Sequence, residues 1–272
     1  MLLLVDLDGV VYRGPEPVPG MPELLARRVA VGDRVIYCTN NSRWHRSQYR
    51  ARLESMGAPV DTVNIVTAAR ATALALKERN PRLTMVLGGP GLAREVRDVG
   101  LKVVAPTPHG LAAGPEALLV GVDFSLDYER LSIASSVARS GALFMATNRD
   151  PVFPLPDGLH AGAGSIVAAV CVASGREPDQ SIGKPEPGLF LEACAIDGTD
   201  PHQAIVIGDS LHSDMVAAKA IGARRVLMMT GVTSEAKLAA HPADDRPDAV
   251  AHDAAELDVI LDGWAWNDRR GS

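Results

Sequence analysis

Asp6 and Asp8 stand one residue apart where the apolar run Leu2-Leu3-Leu4-Val5 ends, and Gly9 follows them. A carboxylate leaving a core strand loses solvation unless a cation, donors or a proton compensates it, so such a pair calls for a chemical partner. Capping of the following loop is the plainer alternative. A second apolar run, Arg34 to Cys38, stops at Thr39-Asn40-Asn41-Ser42 ahead of a helical stretch. Strand, hydroxyl and amide turn, helix is a geometry that offers backbone N–H groups to an anion. Lys184 lies in Gly183-Lys184-Pro185, and the run Ala204 to Ile207 ends in Gly208-Asp209, with Asp214 shortly after. Clustered acids repel one another, whereas Mg²⁺ accepts carboxylate and carbonyl oxygens, keeps waters and favours phosphate as its remaining ligand. Lys184 adds positive charge and the Thr39 turn adds neutral donors, so together these groups describe a phosphate site. The seven histidines and the cysteines Cys38, Cys171 and Cys194 show no metal-ligand spacing, which leaves a hard cation held by oxygen.

Groups this far apart in the chain meet only if the fold gathers them. The runs ending at Asp6, Thr39 and Gly208 alternate with helical stretches at Met21 to Val31, Trp44 to Met56 and Ser213 to Ile221. Strands in that rhythm form a parallel α/β sheet, whose sites lie at the carboxyl ends of the strands. The expected fold is a Rossmann-like, doubly wound parallel sheet core. Between the second and third groups the rhythm restarts, with apolar runs at Leu83 to Leu87, Leu101 to Val104, Ala117 to Val122 and Leu143 to Ala146. This is read as an inserted α/β domain over 80–180, with the core formed by 1–79 and 181–272. A last helix is expected near Ala254 to Leu261, and the tail from Trp264 shows no usable pattern.

At 272 residues, 47% hydrophobic and 22% charged, the chain has ample material for such a core. Lys plus Arg number 27 against 33 Asp plus Glu, a net charge of -6 that argues against a general nucleic-acid or anionic-membrane binder. The N-terminal run is too short for a signal peptide and no stretch reaches membrane-spanning length, so a cytoplasmic protein is expected. Widely spaced, odd-numbered cysteines fit a reducing compartment. Leu87-Gly88-Gly89-Pro90-Gly91 invites a dinucleotide-binding reading but puts Arg94 where the third small residue belongs, so it is read as a structural turn.

Asp6-Leu7-Asp8-Gly9-Val10, Thr39-Asn40-Asn41-Ser42, Gly183-Lys184-Pro185 and Gly208-Asp209 with Asp214 resemble, in order and spacing, the four motifs of the haloacid dehalogenase superfamily. Ala146-Thr147-Asn148-Arg149-Asp150, Gly162-Ala163-Gly164-Ser165 and Thr230-Gly231-Val232-Thr233 are similar to its subgroup with the large α/β cap (subclass IIA), which contains para-nitrophenyl phosphatase, pyridoxal phosphatase, glycerol-phosphate phosphatase and nucleotidase-like members. The resemblance implies a Mg²⁺-dependent phosphatase acting on small phosphate monoesters through an aspartyl-phosphate. Asp6 would be the nucleophile and Asp8 the general acid and base. Thr39, Asn40, Asn41 and Lys184 would hold the phosphoryl oxygens, and Asp6, the Asp8 carbonyl and Asp209 would hold the metal. Asp214 would orient metal waters or Lys184. The inserted cap would restrict substrates to a small phosphorylated metabolite, with Asn148 and Asp150 as first candidates for its recognition, and would pair in a homodimer. A phosphomutase on the same scaffold and a non-enzymatic metabolite-binding regulator are the alternatives; loss of Asp6 or Asp8 would have marked the regulator, and both are present.

Overall fold

The computed structural model describes residues 1–155 and 158–271. In chain order, β1 (Leu2–Asp6) leads into a short hairpin of β2 (Tyr12–Arg13) and β3 (Glu16–Pro17), then α1 (Met21–Ala30), β4 (Arg34–Thr39) and α2 (Arg46–Ser55). Next come β5 (Ile65–Thr67), α3 (Ala68–Arg79), β6 (Thr84–Leu87), α4 (Pro90–Asp98), β7 (Val103–Val104), α5 (Pro108–Ala112) and β8 (Ala117–Val120). They are followed by α6 (Tyr128–Arg139), β9 (Leu143–Ala146), the hairpin strands β10 (Val152–Leu155) and β11 (Gly158–Ala161), α7 (Ala163–Ser174) and β12 (Gln180–Ser181). The chain closes with α8 (Gly188–Asp197), β13 (Ala204–Gly208), α9 (Asp214–Ala220), β14 (Arg224–Met228), α10 (Glu235–Ala240), β15 (Ala249–Ala251) and α11 (Ala254–Gly271). No helix among the described residues is long and apolar enough to cross a membrane.

These elements form two compact units. The first comprises Met1–Thr39, Arg50–Ile65 and Lys184–Ser272; the second comprises Asn40–Tyr49 and Val66–Gly183. In the first unit the sheet order is β15-β14-β13-β1-β4-β5. The pairs from β15 through β4 are all parallel. Every residue of β1 is buried, as expected of a central parallel strand covered on both faces, and its unbroken apolar run follows from that. Register pairs Leu2 with both Arg34 and Ala204, so Asp6, Thr39 and the residue after Gly208 emerge at the same sheet edge. Beyond β1 the chain coils tightly: the Leu7 carbonyl accepts the N–H groups of Val10, Val11 and Tyr12, with Gly9 at φ +88°. Only a residue without a Cβ takes that conformation without strain, and the coil carries Asp8 just past the strand end.

The second unit has its own parallel sheet in the order β12-β9-β8-β6-β7. Its core sets Met85, Leu118, Val120 and Phe144 of the sheet against Ile133, Val137, Ile166 and Val170 of α6 and α7. The strand order makes a topological switch between β6 and β8, the place where such sheets usually take ligands. Here the chain itself lies beside it. A Cβ on Gly91 would fall 2.5 Å from the Arg43 carbonyl oxygen and 2.6 Å from the His45 nitrogen, so the glycine turn at 88–91 admits the backbone of 43–45.

The rhythm of the sequence puts a domain boundary at 79/80, whereas the compact units divide at 65/66: α3 packs on α4 and β9, and the second unit also takes in Asn40–Tyr49. Helix α7 carried no readable signal, since Ala-Gly-Ser-Ile-Val-Ala-Ala-Val-Cys-Val-Ala-Ser is apolar or small almost throughout and shows no polar face. Helix α11 continues to Gly271, past the point where its sequence pattern ends.

Candidate active site

In the first unit Asp6, Lys184, Asp209 and Asp214 are all buried. Lys184, just before α8, reaches across the edge of β4 and donates through Nζ to Asp6 Oδ1 at 2.5 Å, Asp214 Oδ1 at 2.7 Å and the Cys38 carbonyl at 3.5 Å. Asp214, the first residue of α9, spends its other oxygen on the backbone N–H groups of Asp209 and Ser210, at 3.2 and 3.1 Å. It therefore holds both the lysine and the loop after β13, which supports the Lys184-orienting role.

Asp209 is positioned by the loop after β14. Its Oδ2 accepts the Val232 N–H at 2.7 Å and its carbonyl accepts the Thr233 hydroxyl at 2.6 Å, while the Thr230 hydroxyl donates to the Gly9 carbonyl at 2.6 Å. Thr230-Gly231-Val232-Thr233, notable in sequence only for its resemblance, has the task of seating this carboxylate. The seat needs a glycine, because a Cβ on Gly231 would lie 1.7 Å from Asp209 Oδ2. Gly231→Ala should accordingly push Asp209 aside; with Asp209 as a Mg²⁺ ligand, as the resemblance implies, affinity for Mg²⁺ should fall by about 10- to 100-fold, as loss of a ligand's supporting contact does elsewhere. Isothermal titration with Mg²⁺ checks this, and an unchanged affinity would refute the seating role.

The electrostatics are those of a site short of positive charge. One carboxylate oxygen from each of Asp6, Asp209 and Asp214 lies within 4.8 Å of the other two, and the Lys184 ammonium pairs with Asp6 and Asp214. Three carboxylates against one ammonium leave a deficit of two charges. Burial drives the Asp6 carboxyl well above its usual range, with Asp214 and Asp209 adding repulsion and Lys184 only partly offsetting both. Burial, then Asp214, push Asp209 up to about 7, although the Val232 N–H and Lys184 pull against the shift. Burial alone would lower Lys184, but Asp214 and Asp6 more than reverse this and keep it charged. A divalent cation with a preference for oxygen fits this donor set, and neither sulfur nor imidazole is among the donors.

Asp8 lies past the end of β1 with its side chain exposed. Surrounding protein raises its carboxyl from the ordinary value against the pull of Arg52 and Lys184. Arg52 stacks its guanidinium 3.6 Å from the Tyr12 ring centroid and also bonds the Gly14 carbonyl. Its place on α2 gave no signal in the sequence. Thr39 is buried as the last residue of β4.

The remaining expected site residues belong to the second unit. Asn148 Nδ2 donates to the Asn40 carbonyl at 2.7 Å, Asn40 Nδ2 donates to Asp150 Oδ2 at 2.9 Å, and the Asp150 N–H donates to Asn148 Oδ1 at 3.1 Å. Asn41 Oδ1 accepts the Arg43 N–H at 3.0 Å, closing an Asx turn.

Comparison with known proteins agrees with this geometry. The haloacid dehalogenase-like hydrolase family model matches residues 3–102, and a second HAD-like hydrolase model matches 181–257. Human chronophin is 34% identical over 261 residues, covering 92% of this chain and 88% of its own. The acid sugar phosphatase of Staphylococcus aureus is 33% identical over 232 residues, covering 85% and 87%. Among solved structures, the p-nitrophenyl phosphatase of Archaeoglobus fulgidus superposes with a TM-score of 0.87 at 32% identity, covering 95% of this chain and 98% of the other. The glycerol phosphate phosphatase of Mycobacterium tuberculosis, solved with magnesium, gives 0.85 at 33% identity, covering 94% and 75%. The chain belongs to the haloacid dehalogenase-like hydrolases, within their subclass IIA phosphatases.

Proposed function

We propose that the protein is a Mg²⁺-dependent phosphatase that hydrolyses small phosphate monoesters of a cytoplasmic metabolite, with Asp6 as the nucleophile. The observation that carries this reading is the buried trio of acids facing a single lysine, a charge balance suited to one divalent cation and a phosphate. Asp6, the Asp8 carbonyl and Asp209 would hold Mg²⁺, which when bound neutralises charge on the phosphoryl oxygens. An Asp6 oxygen attacks phosphorus, the bond to the ester oxygen breaks, and Asp8 gives its proton to the departing alkoxide. Asp8 then takes a proton from a water that attacks the phosphorus of the aspartyl-phosphate, which releases inorganic phosphate and restores Asp6. This acid and base duty is worth about 10² to 10⁴ in rate. Lys184, Thr39, Asn40 and Asn41 hold the phosphoryl oxygens during both displacements.

A panel of phosphorylated metabolites, read as free phosphate with and without Mg²⁺, tests the reading. Turnover abolished by EDTA and restored by Mg²⁺ is the expected result; full activity in EDTA, or transfer of the phosphoryl group to a second sugar without release of phosphate, would sink it. We also propose that the second unit acts as the cap and supports a homodimer, as its exposed Phe124, Leu126 and Tyr128 suit an apolar contact. Light scattering at micromolar concentration should give twice the chain mass, and a monomer would remove this part.

A further inference from the structure

We infer that Asn148 and Asp150 are positioning residues for the phosphate-binding turn, acting on the phosphoryl group through Asn40 and not through contact with the leaving group of the ester. The inference deepens the proposed function and rests on it. The three hydrogen bonds that join Asn40, Asn148 and Asp150 close a ring in which each residue both gives and receives. The ring uses both ends of the Asn148 amide, so the amide's orientation is fixed by its partners. It uses the Asn40 carbonyl as well. A peptide unit is planar, so pinning that carbonyl from one side fixes the direction of the Asn41 N–H on the other, and with it the path of the chain directly after Thr39.

The neighbourhood leaves the ring little freedom. Asn148 is 3% exposed, and the adjoining Thr147 hydroxyl meets the Ser42 hydroxyl at 3.2 Å, which holds the turn two residues beyond Asn40. Gly183 packs against the same cluster: a Cβ there would lie 2.7 Å from Asn40 Oδ1 and 2.8 Å from Asn148 Cβ. Gly183 is bonded directly to Lys184, and Asn40 directly to Thr39. One cluster thus sets the chain next to two of the groups proposed to hold phosphate. In a site that works by preorganised donors, a displacement of about 1 Å can cost about 10²-fold in rate, so such a cluster has leverage without touching the substrate.

The test uses the full-length, Mg²⁺-loaded enzyme and its Asp150→Ala, Asp150→Asn and Asn148→Asp variants. Kinetic constants are measured for p-nitrophenyl phosphate and for a sugar phosphate, with inorganic phosphate as inhibitor. Asp150→Ala and Asn148→Asp should raise both KM values and the inhibition constant of phosphate by about tenfold or more, by one common factor, because phosphate has no leaving group and shares only the phosphoryl site. Asp150→Asn keeps an acceptor oxygen of the same reach and should restore most of the loss. A penalty on one ester that is absent for inorganic phosphate would show direct leaving-group contact and overturn the inference. So would a lowered melting temperature with unchanged constants, or an Asp150→Asn variant as damaged as Asp150→Ala. A wild-type enzyme that releases phosphate from no ester would remove the proposed function and this inference with it, whereas an active wild type with unaltered variants would remove the inference alone.

Discussion

Asp6→Asn should reduce phosphate ester hydrolysis by about 10⁴-fold or more, the scale seen when a covalent nucleophile is removed. The carboxyl stands at the very end of the central strand, buried and 2.5 Å from the Lys184 ammonium, so its place is fixed before any substrate arrives. An amide of the same shape can still accept from Lys184, which keeps the fold, but it cannot form an acyl-phosphate. Wild-type protein quenched in acid during turnover of p-nitrophenyl phosphate should carry one phosphoryl group on the peptide containing Asp6, visible by mass spectrometry. Phosphate found on Asp8, or substantial activity left in Asp6→Asn, would reverse the assignment. Asp8→Asn should spare p-nitrophenyl phosphate most in its first step, because that leaving group hardly needs a proton.

Lys184→Met should lower the free energy of unfolding by about 3–5 kcal/mol in metal-free buffer, since it strands Asp6 and Asp214 as buried carboxylates without their cation. The loss depends on pH with a definite sign. Asp6 and Asp209 already bind protons more tightly folded than unfolded, Asp209 up to about 7, and removing the ammonium strengthens that bias. A carboxyl of this kind favours the folded state while protonated, and that contribution is lost as pH rises from about 4 through about 7. Urea melts should therefore find the variant nearest to wild type in acid and furthest from it above neutrality, with Mg²⁺ recovering part of the difference. A loss below about 1 kcal/mol at neutral pH, or the opposite trend with pH, would refute the account.

Part of the site was readable because Asp6, Thr39 and Asp209 each mark the end of an apolar run. Asp6 and Thr39 close β1 and β4, Asp209 follows β13, and a parallel sheet brings such ends to one edge whatever their distance in sequence. The parts that escaped have no such marker. Arg52 works from a helix whose surface pattern says nothing of Tyr12, and Gly231 matters through the space it leaves beside Asp209, which composition cannot reveal. Asn148 and Asp150 were legible as notable residues but not as partners of Asn40, since a contact across 108 or 110 positions is a product of folding alone. Strand β15, at three residues, is too short for alternation to register, and α7 hides by having no polar side.

The chain passes from one unit to the other at the bonds following Thr39, Tyr49, Ile65 and Gly183. Recombination between relatives, in the laboratory or in evolution, is constrained by those junctions. A cassette cut at 80–180 would separate Asn148 and Asp150 from their own Asn40 and α3 from its packing partner α4, and so would pair each with a stranger. To be exchanged whole, the second unit has to travel as two pieces, 40–49 together with 66–183, and the first piece ends inside α2. Chimeras built on that two-piece design should retain foldability where single-cassette exchanges lose it.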